Sequence, residues 1–164
     1  MKLIRETGVD AVKLEGGVEI VPTIQRIVDT GIPVMGHLGL TPQSINRLGS
    51  YGVCASNDAE ANKLIADAHA LEKVGCFGIV LEKIPATVAR QVTKEVSVPT
   101  IGIGAGNYCD GQVLVYADSM GMTQNFEPRF LRKFAAMGDE LRQGVTAYCK
   151  AVKSNLFPNE RESY

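Results

Sequence analysis

Short apolar runs that stop at a charged or glycine-rich position recur along the chain, and amphipathic stretches separate them. The run Gly78-Ile79-Val80-Leu81 is continuously apolar and is followed by Glu82. A run of this kind predicts a strand that is covered on both faces, as the strands of parallel sheets are. Because such runs alternate with helical patterns over short connections, the sequence predicts an α/β fold with a parallel sheet.

About five strands fit this pattern, and helices fill the segments between and after them. The strands are predicted at residues 10–15, 32–37, 77–82, 98–103 and 112–117. The helices are predicted at residues 2–8, 19–29, 41–44, 58–74, 86–94, 127–136 and 139–154. We expect one domain at residues 1–156 and a polar tail at residues 157–164. A helix at the very first residues also suggests that the chain begins partway through a larger pattern.

Polar residues at successive strand ends favour a (β/α) barrel, which carries its sites at the carboxyl-terminal face of the strands. The strand count and the 164 residues are too few for a closed barrel, which has eight strands and about 250 residues. An open doubly wound sheet needs no more strands than these, so it is the alternative.

The bulk composition excludes several classes of function. A net charge of −1 gives no electrostatic basis for binding nucleic acid or an anionic membrane. No apolar run approaches the ~20 residues of a membrane helix, and the first residues are too charged for a signal peptide, so we expect a cytoplasmic protein. The cysteines form no Cys-x-x-Cys pair and are predicted to be free thiols in a reducing compartment. They are Cys54, Cys76, Cys109 and Cys149.

Two strand ends carry candidate catalytic side chains. Glu82 ends the most apolar strand, where a partly dry carboxylate has a raised pKa and can serve as a general base. The alternative is a solvated or helix-capping glutamate ahead of Pro85. His37 ends another strand among small neighbours that leave room for a ligand. Its alternative is a hydrogen-bonded structural histidine.

Lys13 and Glu15 alternate with Val12 and Leu14 and therefore share the opposite face of a strand. Lys13 could bind a carboxylate or polarise a carbonyl group. Glu15 could hold a divalent cation directly or through water. The alternative for both residues is an ion pair at the edge of a strand.

The glycine run from Gly102 to Gly106 is similar to a phosphate or cofactor loop. It lacks the dinucleotide fingerprint, because Asn107 stands where the third glycine should be, and it lacks the Walker lysine and hydroxyl. We interpret it as a loop after a strand, in which glycines admit a ligand close to the backbone. Asp110 in the following turn is predicted to be a turn residue and not a ligand.

Four stretches together resemble the ketopantoate hydroxymethyltransferase family, and the resemblance runs through nearly all of the chain. The stretches are residues 12–17, 36–44, 80–82 and 101–106. The resemblance implies a (β/α)₈ barrel that needs Mg²⁺. It also implies transfer of a one-carbon unit from 5,10-methylenetetrahydrofolate to 3-methyl-2-oxobutanoate, which gives ketopantoate in pantothenate synthesis.

The resemblance also assigns roles to the strand-end residues. Glu82 would be the base that removes a proton from C3 of the oxo acid. Lys13 would contact the oxo acid and stabilise the enolate charge. His37 would contact the substrate or the new hydroxymethyl group. Glu15 would lie at the metal, as a direct ligand or as a partner of the groups that bind it.

Two departures from the family pattern lead to further expectations. The chain resembles only the carboxyl-terminal part of the family, and neither Gly-Asp-Ser nor Ala-Asp-Leu-Pro, which would carry the direct aspartate ligands of Mg²⁺, occurs in it. The loop at residues 51–56 lacks the basic and amide residues usual in the family. We therefore expect a truncated or split form with a partial barrel of about five strands, C-terminal helices and exposed sheet edges.

Three functions follow from this sequence. The first is the family's enzyme, as a homo-oligomer or in association with a complementary amino-terminal half. The second is a non-catalytic assembly or interaction fragment that lacks the direct metal ligands. The third is a nucleotide-binding module that uses the glycine run from Gly102 to Gly106.

Overall fold

A computed structural model describes residues 2–42 and 52–164 of the chain. They pack as two compact units, Met1–Val113 and Leu114–Tyr164. The first unit contains five strands: β1 (Val12–Glu15), β2 (Val34–Gly39), β3 (Gly78–Glu82), β4 (Thr100–Ile103) and β5 (Gly111–Gln112). Its α-helices are α1 (Lys2–Thr7), α2 (Val21–Val28), α3 (Asp58–Lys73) and α4 (Ala86–Glu95). The second unit contains α5 (Tyr116–Ser119), α6 (Met137–Lys153) and the 3₁₀ turn Glu160–Glu162.

The five strands form one sheet in the order β1-β2-β3-β4-β5, and every pair in it is parallel. Strands that follow one another in sequence are therefore neighbours in space. Helices fill the crossovers between β1 and β4, whereas residues 104–110 connect β4 to β5 without a helix. This confirms the predicted α/β class and the count of about five parallel strands. Among the described strands β1 and β5 each have one neighbour, so the sheet is open there. Its closure into a barrel stays a prediction.

Helices α2, α3 and α4 lie on one face of this sheet. Side chains of that face, among them Val34, Ile79 and Leu81, pack with the three helices into one hydrophobic core. The alternate strand positions point to the opposite face. Val80 is buried on that opposite face and lies outside the core cluster. The same face carries His37 at its carboxyl-terminal edge, so the candidate site and the helices lie on opposite sides of the sheet.

The helix ends follow from local sequence. The Asn57 side chain caps α3 by accepting from the Glu60 backbone N–H at 3.0 Å, and Glu60 accepts in turn from the Ser56 N–H. Gly75 follows α3 in the left-handed region at φ +97° and allows the chain to turn into β3. The long helix predicted at residues 58–74 is thus confirmed, and these contacts account for its two ends.

Two predicted elements of the second half are wrong. Residues 127–136 are irregular and not helical, and the backbone N–H of Phe134 within them bonds outside the segment. Phe134 donates to the Ser119 carbonyl at 2.7 Å, and Met137 donates to the Met120 carbonyl at 3.1 Å. The strand predicted at 112–117 ends at Gln112 in the structure, and the next residues lead into α5.

The remaining terminal segments agree with the sequence in part. The helix predicted at 139–154 is present as α6, and the tail contains a 3₁₀ turn that Asn159 caps. The short helix predicted at 41–44 lies from Gln43 onward outside the described residues. The division into a domain at 1–156 and a tail at 157–164 stays a prediction. The boundary between the two compact units lies elsewhere in the sequence, after Val113.

All four cysteines are free thiols, as predicted. Cys76 is 2% exposed and belongs to the hydrophobic core, which confirms that it is a packing residue. Burial raises the pKa of its thiol. In the described part of the chain, no helix combines the length and the apolar character needed to cross a membrane.

Candidate active site

Three neighbouring parallel strands bring three predicted side chains to one edge of the sheet. β1 ends at Glu15, which pairs in register with His37 of β2. β3 ends at Glu82, which pairs in register with Gly39 of β2. Because the carboxyl ends of parallel strands meet at the same edge, residues that are far apart in sequence form one cluster here.

His37 lies between the two carboxylates. Its Nε2 is 3.2 Å from Oε2 of Glu82, and its Nδ1 is 3.7 Å from Oε1 of Glu15. The histidine is 1% exposed, whereas the side chain of Glu82 is 17% exposed and that of Glu15 is 7% exposed. The cluster is therefore dry around the imidazole and opens to solvent mainly through Glu82.

The imidazole of His37 is not satisfied by these contacts. Within residues 2–42 and 52–164, neither ring nitrogen makes a hydrogen bond, because the carboxylate at 3.2 Å lacks the alignment that a hydrogen bond requires. A buried polar group in this state costs about 1–3 kcal/mol. Within the described residues, the alternative of a hydrogen-bonded structural histidine therefore finds no partner for His37.

Backbone contacts fix Glu82 at the edge. Its carbonyl accepts from the Leu40 N–H at 2.8 Å, and the Lys83 N–H donates to the Ile103 carbonyl at 2.8 Å. Gly39 makes the first contact possible, because a Cβ at its φ of +93° would lie 2.1 Å from the Glu82 carbonyl oxygen. Lys83 itself is held in the left-handed region at φ +50°, a strained conformation of the kind found at functional sites.

The alternative role for Glu82, capping of the next helix, is wrong. The cap position of α4 is Pro85, which makes no side-chain hydrogen bond to the helix. The backbone of Glu82 serves the sheet edge, and its carboxylate lies against His37. Its side chain is therefore left at the mouth of the cluster.

Lys13 lies on the same face of β1 as Glu15, two residues nearer the amino-terminal end of the strand. It is exposed and is in register with Met35. Two strand residues span about 6.6 Å, so Lys13 is displaced from the edge by roughly that distance. The structure thus brings Glu15, His37 and Glu82 together and places Lys13 beside them on the same face.

A cavity of about 580 Å³ adjoins Glu15 and His37. This volume is in the range of small-molecule sites. Its walls are the turn after β1, the loop at residues 52–56 and the first half of α3. The loop at residues 51–56 is the one whose composition departs from the family pattern. Its residues 52–56 line this cavity, and Tyr51 lies outside the described residues. Glu82 is not among its described lining residues.

The glycine run after β4 is filled by the chain itself. A Cβ on Gly102 would lie 3.0 Å from both Cys109 Sγ and Gln112 Nε2, and a Cβ on Gly106 would lie 2.4 Å from the Ala86 Cβ. Gln112 Nε2 also donates to the Gly106 carbonyl at 2.9 Å. The prediction that these glycines admit a ligand is therefore wrong at Gly102 and Gly106. Packing against Ala86 at the start of α4 explains Gly106, and the side chains of Cys109 and Gln112 explain Gly102.

Asp110 has the structural role that the sequence predicts for it. Its Oδ2 accepts from the Thr100 backbone N–H at 2.8 Å and from the Thr100 hydroxyl at 3.0 Å. Thr100 is fully buried, and its hydroxyl also contacts that of Thr93 at 2.8 Å. This network ties the start of β4 to the turn before β5.

The described residues do not provide a complete Mg²⁺ site. No group of three or more histidine, cysteine, aspartate or glutamate side chains is placed to hold a metal ion in residues 2–42 and 52–164. Mg²⁺ takes oxygen ligands in near-octahedral geometry, and His37 separates the carboxylates of Glu15 and Glu82. Glu15 could supply one ligand at most, so these residues alone do not fit the ion.

The sequence interpretation missed Asp67, a carboxylate on the buried side of α3. It is 5% exposed, accepts from the Val18 N–H at 3.1 Å and from Lys63 Nζ at 2.5 Å, and lines the cavity. One signal was available. The residue lies at helical spacing from Leu64 and Leu71, inside the apolar stripe, where an acidic side chain needs a specific partner.

The fold and the site define an α/β protein with an acid–histidine–acid cluster at the carboxyl edge of a parallel sheet. More specifically, the chain belongs to the ketopantoate hydroxymethyltransferase family, whose family model matches residues 1–160. This confirms the resemblance seen in the sequence.

Relatives agree with this assignment. Proteins named 3-methyl-2-oxobutanoate hydroxymethyltransferase from Parabacteroides distasonis, Bacteroides thetaiotaomicron and Flavobacterium johnsoniae are 56%, 55% and 54% identical to it over 164 residues. The match covers 100% of this chain and 60% of each relative, so the chain spans about 60% of their length. These percentages give the length of the match and not its position within the relatives. That the chain corresponds to the carboxyl-terminal part of the relatives therefore stays a prediction.

One solved structure, the YdjI aldolase from Escherichia coli K12, is similar to part of this chain. The similarity covers 74% of this chain and 52% of the aldolase chain, with 18% sequence identity and a TM-score of 0.44. This likeness is too weak to add to the argument about the fold.

Proposed function

We propose that this chain carries the catalytic-base part of a hydroxymethyl transfer from 5,10-methylenetetrahydrofolate to 3-methyl-2-oxobutanoate, which gives ketopantoate. Membership of the family and the names of the relatives support the reaction. The observation that carries the proposal is the position of Glu82. Its carboxylate lies at the mouth of the edge cluster, 3.2 Å from a buried imidazole that has no hydrogen bond within the described residues.

In this proposal Glu82 is the general base. It takes the proton from C3, the carbon next to the carbonyl group of the oxo acid, and the electron pair moves to the carbonyl oxygen as an enolate. C3 then forms a bond to the methylene carbon of the folate, and the two C–N bonds that hold this carbon break. A water molecule supplies the hydroxyl oxygen, and tetrahydrofolate leaves with one proton from that water and one from Glu82. General bases of this kind contribute about 10²–10⁴-fold to a rate. The partly exposed Glu82 side chain can be reached by a substrate that enters from the edge.

Lys13 and His37 contact the substrate in the same proposal. Lys13 lies on the face that carries Glu15, and its ammonium group would stabilise the negative charge of the enolate. His37 would donate or accept a hydrogen bond at the oxo acid or the new hydroxymethyl group. Its unsatisfied ring nitrogens support this role, because a ligand would supply the missing partner.

Mg²⁺ belongs to the proposal as the ion that the family resemblance implies, and it would polarise the carbonyl oxygen when bound. Glu15 is the described residue that could lie at the ion. In this proposal the remaining ligands come from outside residues 2–42 and 52–164. The proposal therefore includes a truncated or split form of a (β/α)₈ barrel in the cytoplasm, which associates with copies of itself or with a complementary amino-terminal half.

A second candidate is a non-catalytic assembly or interaction fragment of the same fold. It is favoured by one observation, namely that the described residues contain no group of three or more side chains able to hold a metal ion. The nucleotide-binding alternative has no such support, because the space beside Gly102 and Gly106 is filled by the chain's own atoms.

The test is an assay of the purified chain with Mg²⁺, 3-methyl-2-oxobutanoate and 5,10-methylenetetrahydrofolate, in which ketopantoate is measured. The assay is repeated after addition of the amino-terminal part of a family member, and Glu82→Gln is the matched control. Turnover that appears only with the added part and is lost in Glu82→Gln supports a split enzyme. Turnover by the chain alone supports the function and contradicts the truncation. No turnover in either arm, in a folded sample, favours the non-catalytic fragment.

A further inference from the structure

The connection between β1 and α2 has no cap of its own. A 3₁₀ turn, Val18–Ile20, begins after Gly17, and neither it nor α2 has a side-chain hydrogen bond from its own cap residue. The first N–H groups of a helical segment have no partners within the segment. They must therefore find an acceptor elsewhere in the chain.

Asp67 supplies that acceptor from α3, 49 residues further along the sequence. Its Oδ1 accepts from the Val18 N–H at 3.1 Å, and its Oδ2 accepts from Lys63 Nζ at 2.5 Å. The residue is 5% exposed, and a buried carboxylate is strongly unfavourable unless it is paired and hydrogen-bonded. Both oxygens of Asp67 have such a partner, and one of these partners is the turn after β1.

The turn itself is shaped to receive this carboxylate. A Cβ on Gly17 would lie 2.2 Å from Asp67 Cγ, so only glycine allows the approach. The neighbouring Gly16 donates its N–H to the His37 carbonyl at 3.1 Å. The chain that leaves Glu15 is thus held at two points, by the backbone of His37 and by the carboxylate of Asp67.

We propose that Asp67 is a positioning residue for the edge cluster. Its carboxylate fixes the Gly16-Gly17 turn and so holds the Glu15 side chain beside the His37 ring. Any effect of Asp67 on turnover rests on the proposed function, whereas the placement of Glu15 and His37 does not. The two can therefore be tested separately.

The experiment compares Asp67→Ala and Asp67→Asn with a matched control on the same helix, Glu72→Ala. Glu72 also accepts from a distant backbone, at 2.6 Å from both the N–H and the hydroxyl of Ser97, but it serves the loop before β4. Three quantities are measured in the full chain: amide hydrogen exchange by NMR, the ¹⁵N signals of the His37 ring, and denaturant unfolding. Exchange is compared at matched global stability.

In Asp67→Ala we expect the Val18 amide to exchange about tenfold faster, as the loss of one hydrogen bond predicts. The Gly16 amide should follow, and the His37 ring signals should move. Asp67→Asn keeps an acceptor for the Val18 N–H. It should therefore restore most of the slow exchange at Val18 and Gly16 and return the His37 ring signals close to those of the parent. Glu72→Ala should speed exchange at Ser97 and leave Gly16 and His37 unchanged.

Two results would overturn the proposal. One is an Asp67→Ala chain in which the Gly16 exchange and the His37 signals are those of the parent. The other is a Glu72→Ala chain in which they move as far as in Asp67→Ala, because the effect would then be general destabilisation. If the assay gives turnover, kcat should fall in Asp67→Ala and recover in Asp67→Asn. Absence of turnover both with and without the added amino-terminal part would contradict the proposed function and leave the NMR result decisive for the positioning role.

Discussion

Two polar clusters of the first unit each surround a deeply buried polar side chain, and they differ in how well that side chain is hydrogen-bonded. At the start of β4, fully buried Thr100 bonds to Asp110 through both its N–H and its hydroxyl. At the carboxyl edge of β2, His37 is as deeply buried and touches Glu15 and Glu82, yet neither ring nitrogen has a hydrogen bond within the described residues.

The difference separates a structural cluster from a functional one. Buried polar groups in native proteins are nearly always hydrogen-bonded, and a satisfied network makes the fold rigid. An unsatisfied group lowers stability and persists where another requirement holds it in place. Changes at the Thr100 cluster should therefore act on folding, and changes at the His37 cluster should act on chemistry.

The largest effect is expected at Glu82. Glu82→Gln removes the proposed base and keeps the shape of the side chain, so the rate of ketopantoate formation should fall by about 10²–10⁴-fold. The free energy of unfolding should change by less than about 1 kcal/mol, because the backbone contacts of Glu82 to Leu40 remain. Initial rates and urea unfolding on the same sample check both. A chain that loses most of its stability would place Glu82 with the structural cluster.

The opposite result is expected at Asp110. Asp110→Ala leaves the buried N–H of Thr100 without its acceptor, while the Thr100 hydroxyl keeps its contact with Thr93, and the loss should cost about 2 kcal/mol of unfolding free energy. Asp10→Ala, at an exposed position of the same unit, is the control and should stay within about 0.5 kcal/mol. Urea unfolding measures both variants. If the two variants were equally stable, the cluster around Thr100 would not be a structural cluster, and its contrast with the His37 cluster would be wrong.

A smaller effect is expected at His37. In His37→Gln the unfolding free energy should change by less than about 1 kcal/mol, because the imidazole makes no hydrogen bond that could be lost within the described residues. Affinity for 3-methyl-2-oxobutanoate should fall by roughly tenfold, the equivalent of one hydrogen bond to a ligand. Calorimetric titration and urea unfolding give the two numbers. A loss of stability as large as that of Asp110→Ala would show that His37 is held by contacts of structural importance.

The sequence predicted the position of the His37 cluster for a simple physical reason. Apolar runs that stop at Glu15, His37 and Glu82 become neighbouring parallel strands, and the carboxyl ends of such strands meet at one edge. The alternation of side chains then places all three on the face away from the helices. Local pattern was enough because Glu15 and Glu82 end their strands and His37 lies two residues before the end of β2.

Other parts of the site depend on contacts that no local pattern contains. Asp67 meets Val18 across 49 residues, and Gly106 is required by the start of α4 and not by a ligand. Likewise, residues 127–136 have helical composition, but the hydrogen bond from Phe134 to the Ser119 carbonyl competes with helix formation. In each case tertiary packing overrides the intrinsic preference of the segment.

The smallest effect is expected at Cys109, which reports on the structural cluster. Burial raises the pKa of its thiol, hydrogen bonds with Thr93 and Thr100 lower it, and the charge of Asp110 raises it. A raised pKa leaves less thiolate at pH 8, so this cysteine should react slowly with a disulfide reagent. Asp110→Asn removes the charge, lowers the thiol pKa and loosens the turn, and both changes should speed labelling by a few-fold.

Mass spectrometry after timed labelling at pH 8 resolves each cysteine of the same sample. Cys76 is the internal control, since burial alone raises its pKa and it lies in the core, away from Asp110. Its labelling rate should not change in Asp110→Asn. Equal acceleration of Cys76 and Cys109 would indicate global opening of the unit. Acceleration of Cys109 alone would show that the satisfied cluster acts locally, as its hydrogen bonds to Thr100 require.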